Sequence, residues 1–162
     1  MNRTEFWKTV HHLWQGIDNN EQLTNTCAKD LVIYNKDLLK QVIEIHKTET
    51  DHDFKDVIEE MKVRKYLNHL NGTYSHYDLY FCDEDHDYYF IGDIHSDAFI
   101  LEYILEKTDF FKKVEENIPF KLVFLGDYVD RGKHHLKTLQ ILLMLKVYFP
   151  DNIILLMGNH DI

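Results

Sequence analysis

The sequence predicts an α/β fold in which a βαβαβ run follows an α-helical N-terminal region. Three observations predict it. First, three short apolar runs each end in glycine and a set of metal-competent polar residues. Tyr88-Tyr89-Phe90-Ile91 enters Gly92-Asp93-Ile94-His95, Lys121-Leu122-Val123-Phe124-Leu125 enters Gly126-Asp127-Tyr128-Val129-Asp130-Arg131-Gly132, and Ile153-Ile154-Leu155-Leu156-Met157 enters Gly158-Asn159-His160-Asp161. Second, the segments between these runs carry apolar residues at helical spacing. Third, the glycine-to-glycine steps, 126 − 92 = 34 and 158 − 126 = 32 residues, match successive βαβ units with parallel strands and right-handed crossovers. All three strand ends then lie at one sheet edge, where open α/β sheets bind ligands.

Taken in order, residues 4–14 place Phe6, Trp7, Val10, Leu13 and Trp14 on one helical face, with Gly16 as the stop. A second helix is expected from Asp30 to about Lys47, and a third from Asp53 to Leu70, ended by Asn71-Gly72. The aromatic residues of these helices read as core packing. At Tyr77 the period changes. Leu79-Tyr80-Phe81-Cys82 and Tyr88-Tyr89-Phe90-Ile91 read as a β-hairpin whose turn, Asp83 to Asp87, is a solvated charge run; it lacks the glycine and final glutamate of an EF-hand. Residues 98 to about 111 form the first crossover helix, with Phe99, Ile100, Tyr103, Ile104, Leu105 and Phe110 apolar, and Pro119 marks the return to the second strand. Residues 134–149 form the second crossover helix, and Pro150 precedes the third strand. The chain thus divides into a helical N-terminal extension, residues 1–76, and the α/β region, residues 77–162.

At 162 residues the chain suits one domain, or a catalytic half with an appendage, and either can bury a core. A hydrophobic content of 44% argues against disorder despite a net charge of −10. That acidity argues against nucleic acid as a partner, because a phosphate backbone requires a basic surface, and favours divalent cations. Cys27 and Cys82 lie far apart with no C-x-x-C spacing, so neither a zinc ribbon nor a disulfide framework is expected. The first residues lack the apolar run of a signal peptide, and no stretch reaches the roughly 18 apolar residues of a membrane span. The expectation is a soluble, cytoplasmic protein with no membrane partner.

A single Gly-Asp after a strand can be no more than a helix cap. Three such ends at βαβ spacing point to a site. Four of the six glycines, Gly92, Gly126, Gly132 and Gly158, fall inside the three motifs, where glycine lets a backbone turn sharply and a ligand approach. The polar groups gathered are Asp93, His95, Asp127, Asp130, Arg131, Asn159, His160 and Asp161. Carboxylates, imidazoles and an amide oxygen suit manganese, iron or zinc. Asp127, on the central motif, is placed to bridge two divalent ions, and a pair about 3.5–4 Å apart can clamp the attacking and leaving oxygens of an in-line displacement. Arg131 would hold a phosphate through its planar fork, and His160 would act as general acid for the leaving oxygen. Asp161 is open between orienting a neighbour and capping a helix. The other nine histidines, His134 and His135 included, read as surface or helix residues.

These residues carry a resemblance to the calcineurin-like metallophosphoesterases and, within them, to the phosphoprotein phosphatase family of serine/threonine phosphatases. The family signature runs G-D-x-H-G, G-D-x-V-D-R-G and G-N-H-E. The middle motif, residues 126–132, matches in full and is the most specific. The resemblance covers about residues 86 to 162 and implies the N-terminal half of a metallophosphoesterase sandwich. It implies that Asp93 and His95 bind a first metal, Asp127 bridges, Asn159 binds a second, Asp130 orients His160 as general acid, and Arg131 binds phosphate. The implied activity is hydrolysis of phosphomonoesters, with phosphoserine and phosphothreonine proteins as substrates, by attack of a metal-bound hydroxide.

Two residues depart from the signature: Ser96 stands where it has glycine, and Asp161 where it has glutamate. The family continues with two further histidines of the second metal site, beyond the two residues that follow His160 here. The resemblance therefore implies a half-domain that is weakly active or inactive alone, its metal held mainly at Asp93, His95 and Asp127. One alternative is a symmetrical dinucleoside-tetraphosphate hydrolase, a related family in which G-N-H-D is common but the middle motif usually ends V-A-R-G. The other is a non-catalytic interaction module, a half-domain that keeps the fold but not the activity. The N-terminal helices are the expected seat of a protein partner.

Overall fold

The computed structural model describes residues 1–15, 17, 27–60 and 85–161. In chain order the elements are α1 (Arg3–Leu13), α2 (Cys27–Glu60), β1 (Asp87–Ile91), α3 (Ala98–Lys107), α4 (Phe110–Glu115), β2 (Phe120–Phe124), α5 (His135–Tyr148), a 3-10 turn (Pro150–Asn152) and β3 (Ile153–Leu155). The expected hairpin strand over 79–82 and the end of the helix expected over 53–70 lie outside the described residues.

Helix α1 starts on a reciprocal cap. The Asn2 side chain accepts from Glu5 N at 2.9 Å, and the Glu5 carboxylate accepts from Asn2 N at 3.1 Å, so two N-terminal donors are satisfied. Helix α2 differs from the sequence expectation of two helices parted near residues 48–52, because it runs unbroken from Cys27 to Glu60. Thr48-Glu49-Thr50-Asp51-His52 contains neither glycine nor proline. Its residues cost at most about 0.7 kcal/mol each relative to alanine, which weakens a helix without ending it.

The helix expected over 98–111 is instead two. Asp97 caps α3 by accepting from Phe99 N and Ile100 N at 3.0 and 3.2 Å. The chain then turns at Asp109, whose φ of 51° is left-handed. That turn breaks the helical period and lets two consecutive aromatics, Phe110 and Phe111, both enter the core.

The sheet has the order β1-β2-β3 and is parallel throughout. Tyr89 pairs with Leu122 and Ile91 with Phe124, while Leu122 pairs with Ile153 and Phe124 with Leu155. Strand alternation puts these residues and Phe120 on one face; Ile91, Phe120, Leu122, Phe124 and Ile153 belong to the main hydrophobic core, and the half-buried Tyr89 and Leu155 pack against it. Two right-handed crossovers made in the same direction place both connecting helices on that face. Helix α5 packs against α2, α3 and β3. It buries Thr138, Gln140 and Lys146 along with Ile141, Leu142, Met144 and Leu145, as a helix enclosed on most sides does. The opposite sheet face carries Tyr88, Phe90, Val123 and Ile154, with Phe90 63% exposed.

The N-terminal helices share this core. Phe6, Val10, Trp14, Leu31 and Leu38 belong to the same buried cluster as the sheet and crossover helices. The ring of Phe6 meets Trp7 edge-on at 5.3 Å and lies 5.5 Å from Phe111 and 6.4 Å from Phe149. Trp14 Nε1 donates to Gln140 Oε1 on α5. Phe111 and Phe149 precede β2 and β3, so α1 closes the sheet end opposite the three glycine motifs. Among the described residues no helix is long and apolar enough to cross a membrane.

Candidate metal centre

The turns after β1 and β2 are zipped together by backbone. Ile94 N and His95 N both donate to Asp127 O, at 3.2 and 2.9 Å, and Ser96 N donates to Tyr128 O at 2.8 Å. Buried Ile94 anchors the first turn in the core. The result is one ligand-sized group: Asp93, His95 and Asp127 each offer an atom within 4.8 Å of the others.

The donor set fits a cation. His95 Nδ1 lies 3.0 Å from Val129 O, and a carbonyl only accepts, so Nδ1 carries the proton and donates. In the neutral ring Nε2 is then left with its lone pair. It is buried without a hydrogen-bond partner and faces Asp93 Oδ2 at 3.3 Å. Two acceptor atoms turned towards each other are what a divalent cation would satisfy. Asp127, only 9% exposed, accepts from His160 N through Oδ1 at 2.9 Å, and its carboxylate keeps further lone pairs for a cation.

The end of β3 is fixed to β2 at very short range. A Cβ at Gly158 would lie 2.1 Å from Asp127 Oδ1 and 2.3 Å from Asp127 N, so only glycine admits the aspartate there. Asp161 closes the approach: Oδ2 accepts from Asp127 N at 2.7 Å and Gly158 N at 2.9 Å, and Oδ1 accepts from Tyr128 N at 2.9 Å. Of the two roles left open for it by sequence, Asp161 has the orienting one.

Beside this group, Asp130, His160 and Arg131 form a chain. His160 Nδ1 is 3.1 Å from Asp130 Oδ2, and Nε2 is 3.2 Å from an Arg131 guanidinium nitrogen. A guanidinium only donates and a carboxylate only accepts, so Nδ1 bears the proton and Nε2 accepts from Arg131. The rings of His160 and His95 meet edge-on at 5.2 Å, which places this chain against the carboxylate-histidine group. Asn159 is exposed, held between Gly158 and His160, whose N–H groups bond Asp161 and Asp127.

Backbone strain gathers here. Of the seven non-glycine residues with positive φ among the described residues, five are His95, Ser96, Asp127, Asp130 and Arg131, at 45°, 61°, 54°, 66° and 60°. Each costs on the order of 1–3 kcal/mol and is tolerated where the surroundings dictate it. Gly92, by contrast, has no positive φ, and a Cβ there would meet nothing within 4 Å, so it is not the tight turn its place in the motif suggests. Sequence reasoning missed the Val129 carbonyl, which no residue type signals, and, reading His135 as a surface or helix residue, it missed the 2.7 Å contact of His135 Nδ1 with Ser96 Oγ from the first turn of α5.

Residues 86–162 match the family model described as calcineurin-like phosphoesterase. The match starts one residue before β1 and contains every residue of the site. Together with the Asp93-His95-Asp127 group it indicates metal-dependent phosphoester hydrolysis.

Proposed function

We propose that the protein is a binuclear-metal phosphatase acting on phosphomonoesters, with phosphoserine and phosphothreonine in proteins as the substrate class. The observation that carries this reading is the contact of two groups at one sheet edge: Asp93, His95 and Asp127, whose facing atoms are acceptors, beside the hydrogen-bonded chain Asp130-His160-Arg131.

Asp93, His95 and Asp127 would hold one divalent cation, and Asp127 with Asn159 a second, manganese, iron or zinc suiting the ligands. When bound, such ions supply Lewis acidity and activate water at neutral pH. The chain's own residues do the rest. Arg131 turns its fork from His160 Nε2 to the phosphoryl oxygens. That frees Nε2 to carry a proton to the departing serine or threonine oxygen, while Asp130 keeps Nδ1 protonated and the ring in place. Asp161 supports this reading indirectly. Both its oxygens are taken by backbone N–H groups, so its shorter side chain says little for a dinucleoside tetraphosphate over a phosphoprotein.

The test is phosphate release from a phosphoserine peptide by the full chain with Mn2+, beside cleavage of diadenosine tetraphosphate. Expected is Mn2+-dependent release from the peptide that Asp127→Asn abolishes. Preferential cleavage of the dinucleotide would replace the substrate class. Metal binding with no turnover on either would make the protein a non-catalytic module.

A further inference from the structure

We propose that Ser96 and His135 are positioning residues for the cation site, their hydrogen bond holding the turn that carries His95 against the start of α5. The proposal rests on the reading of Asp93, His95 and Asp127 as cation ligands.

Ser96 follows His95, and both are left-handed, at φ of 61° and 45°. Two consecutive side-chain-bearing residues in that region relax unless they are held. Ser96 is held at all three of its polar groups. Its N–H donates to Tyr128 O at 2.8 Å, its carbonyl accepts from His134 N at 3.0 Å, and its Oγ is joined to His135 Nδ1 at 2.7 Å. The first bond ties the turn to the segment after β2, and the other two tie it to the start of α5. Ser96 is fully buried, so water does not replace a lost partner.

The packing leaves no slack. A Cβ at Gly132 would lie 2.1 Å from His95 O and 2.9 Å from Ser96 Cβ, so the turn lies flush on the residue after Arg131. A shift of Ser96 therefore moves the His95 ring relative to Asp127. In the resembled signature this position is glycine, which adopts a left-handed φ without strain. Here a side chain adds strain and also the bond that restrains it. Ser96→Ala keeps the strain and loses the bond, whereas Ser96→Gly loses both.

Calorimetric titration with Mn2+ and metal-free thermal unfolding of the wild type, Ser96→Ala, Ser96→Gly, His135→Leu and His135→Asn test this. Asn offers a polar atom near the place of Nδ1. We expect Mn2+ affinity to fall about tenfold in Ser96→Ala and His135→Leu, less in Ser96→Gly, and to return close to wild type in His135→Asn. Wild-type affinity in Ser96→Ala overturns the proposal, as does a loss in His135→Leu that His135→Asn fails to restore. If Ser96→Ala does not fold, the two His135 variants decide alone. A wild type that binds no Mn2+ overturns the cation site itself and this proposal with it, whereas a binding wild type with an unaffected Ser96→Ala overturns only the proposal.

Discussion

The carboxylate of Asp161 accepts the backbone N–H of Asp127 at 2.7 Å, and with the N–H groups of Gly158 and Tyr128 it bridges the ends of β2 and β3. Asp161→Ala strands three partly buried donors. The loss is expected at about 2–4 kcal/mol of stability, because each donor left unmet costs about 1–3 kcal/mol and water recovers part of it. Mn2+ affinity should fall with it, since Asp127 loses its backbone anchor. Urea unfolding and metal titration check this. An unchanged midpoint would show that the bridge does not hold the two strand ends.

His160 as proton donor predicts a dependence on the leaving group. A nitrophenolate departs without help, whereas a serine alkoxide requires the proton. His160→Ala should therefore lower kcat on a phosphoserine peptide by roughly 10²–10⁴ and on p-nitrophenyl phosphate far less. Asp130→Ala should show the same pattern in weaker form, because it removes only the group that fixes the ring 3.1 Å away. Equal losses on both substrates would remove His160 from this role.

Phe6 is fully buried between Trp7, Phe111 and Phe149 at the sheet end away from the site. Phe6→Ala should cost about 3–5 kcal/mol, read as a lower urea midpoint. At temperatures where the variant is folded, Mn2+ affinity should stay at the wild-type value. A stability loss below about 1 kcal/mol would mean that α1 does not share the core.

Tyr34 on α2 lies 3.2 Å from the hydroxyl of Tyr148 on α5. Burial first, and the bond to Tyr148 second, push its pKa above the ordinary 10.0. The folded chain then holds this proton more tightly than the unfolded one. The associated stability is fully present below about pH 10 and is lost as pH rises from there towards the folded value. Urea midpoints between pH 8 and 11 should fall more steeply in wild type than in Tyr34→Phe. Parallel slopes would refute the account.

The three strand ends and the candidate Asp93-His95-Asp127 group were legible because a cation site would constrain residue identity there. Gly158 has to lack a Cβ beside Asp127. The left-handed backbone of Asp127, Asp130 and Arg131 was not legible, because those φ values come from tertiary contacts and not from residue type. His135 looked like any helix histidine until the turn after β1 was folded onto it. The helix ends were misread for a local reason. Thr48 to His52 fell between two expected helices but contains nothing that stops a helix, whereas Thr108-Asp109 fell inside one expected helix and turns through the left-handed φ of Asp109, with Phe110 and Phe111 buried beyond it.

The sheet order repeats the chain order, with Asp87 paired to Phe120 and Leu122 to Ile153, separations of 120 − 87 = 33 and 153 − 122 = 31 residues. Among the described residues, each later strand therefore docks on the one synthesised just before it. Because closure entropy grows with loop length, these are inexpensive parallel pairings to nucleate. On a ribosome adding residues from the N-terminus, the turn after β1 would meet Asp127 before β3 emerges. The residues of the Asp93-His95-Asp127 group thus all precede β3, and the Asp161 carboxylate that anchors the Asp127 backbone arrives last.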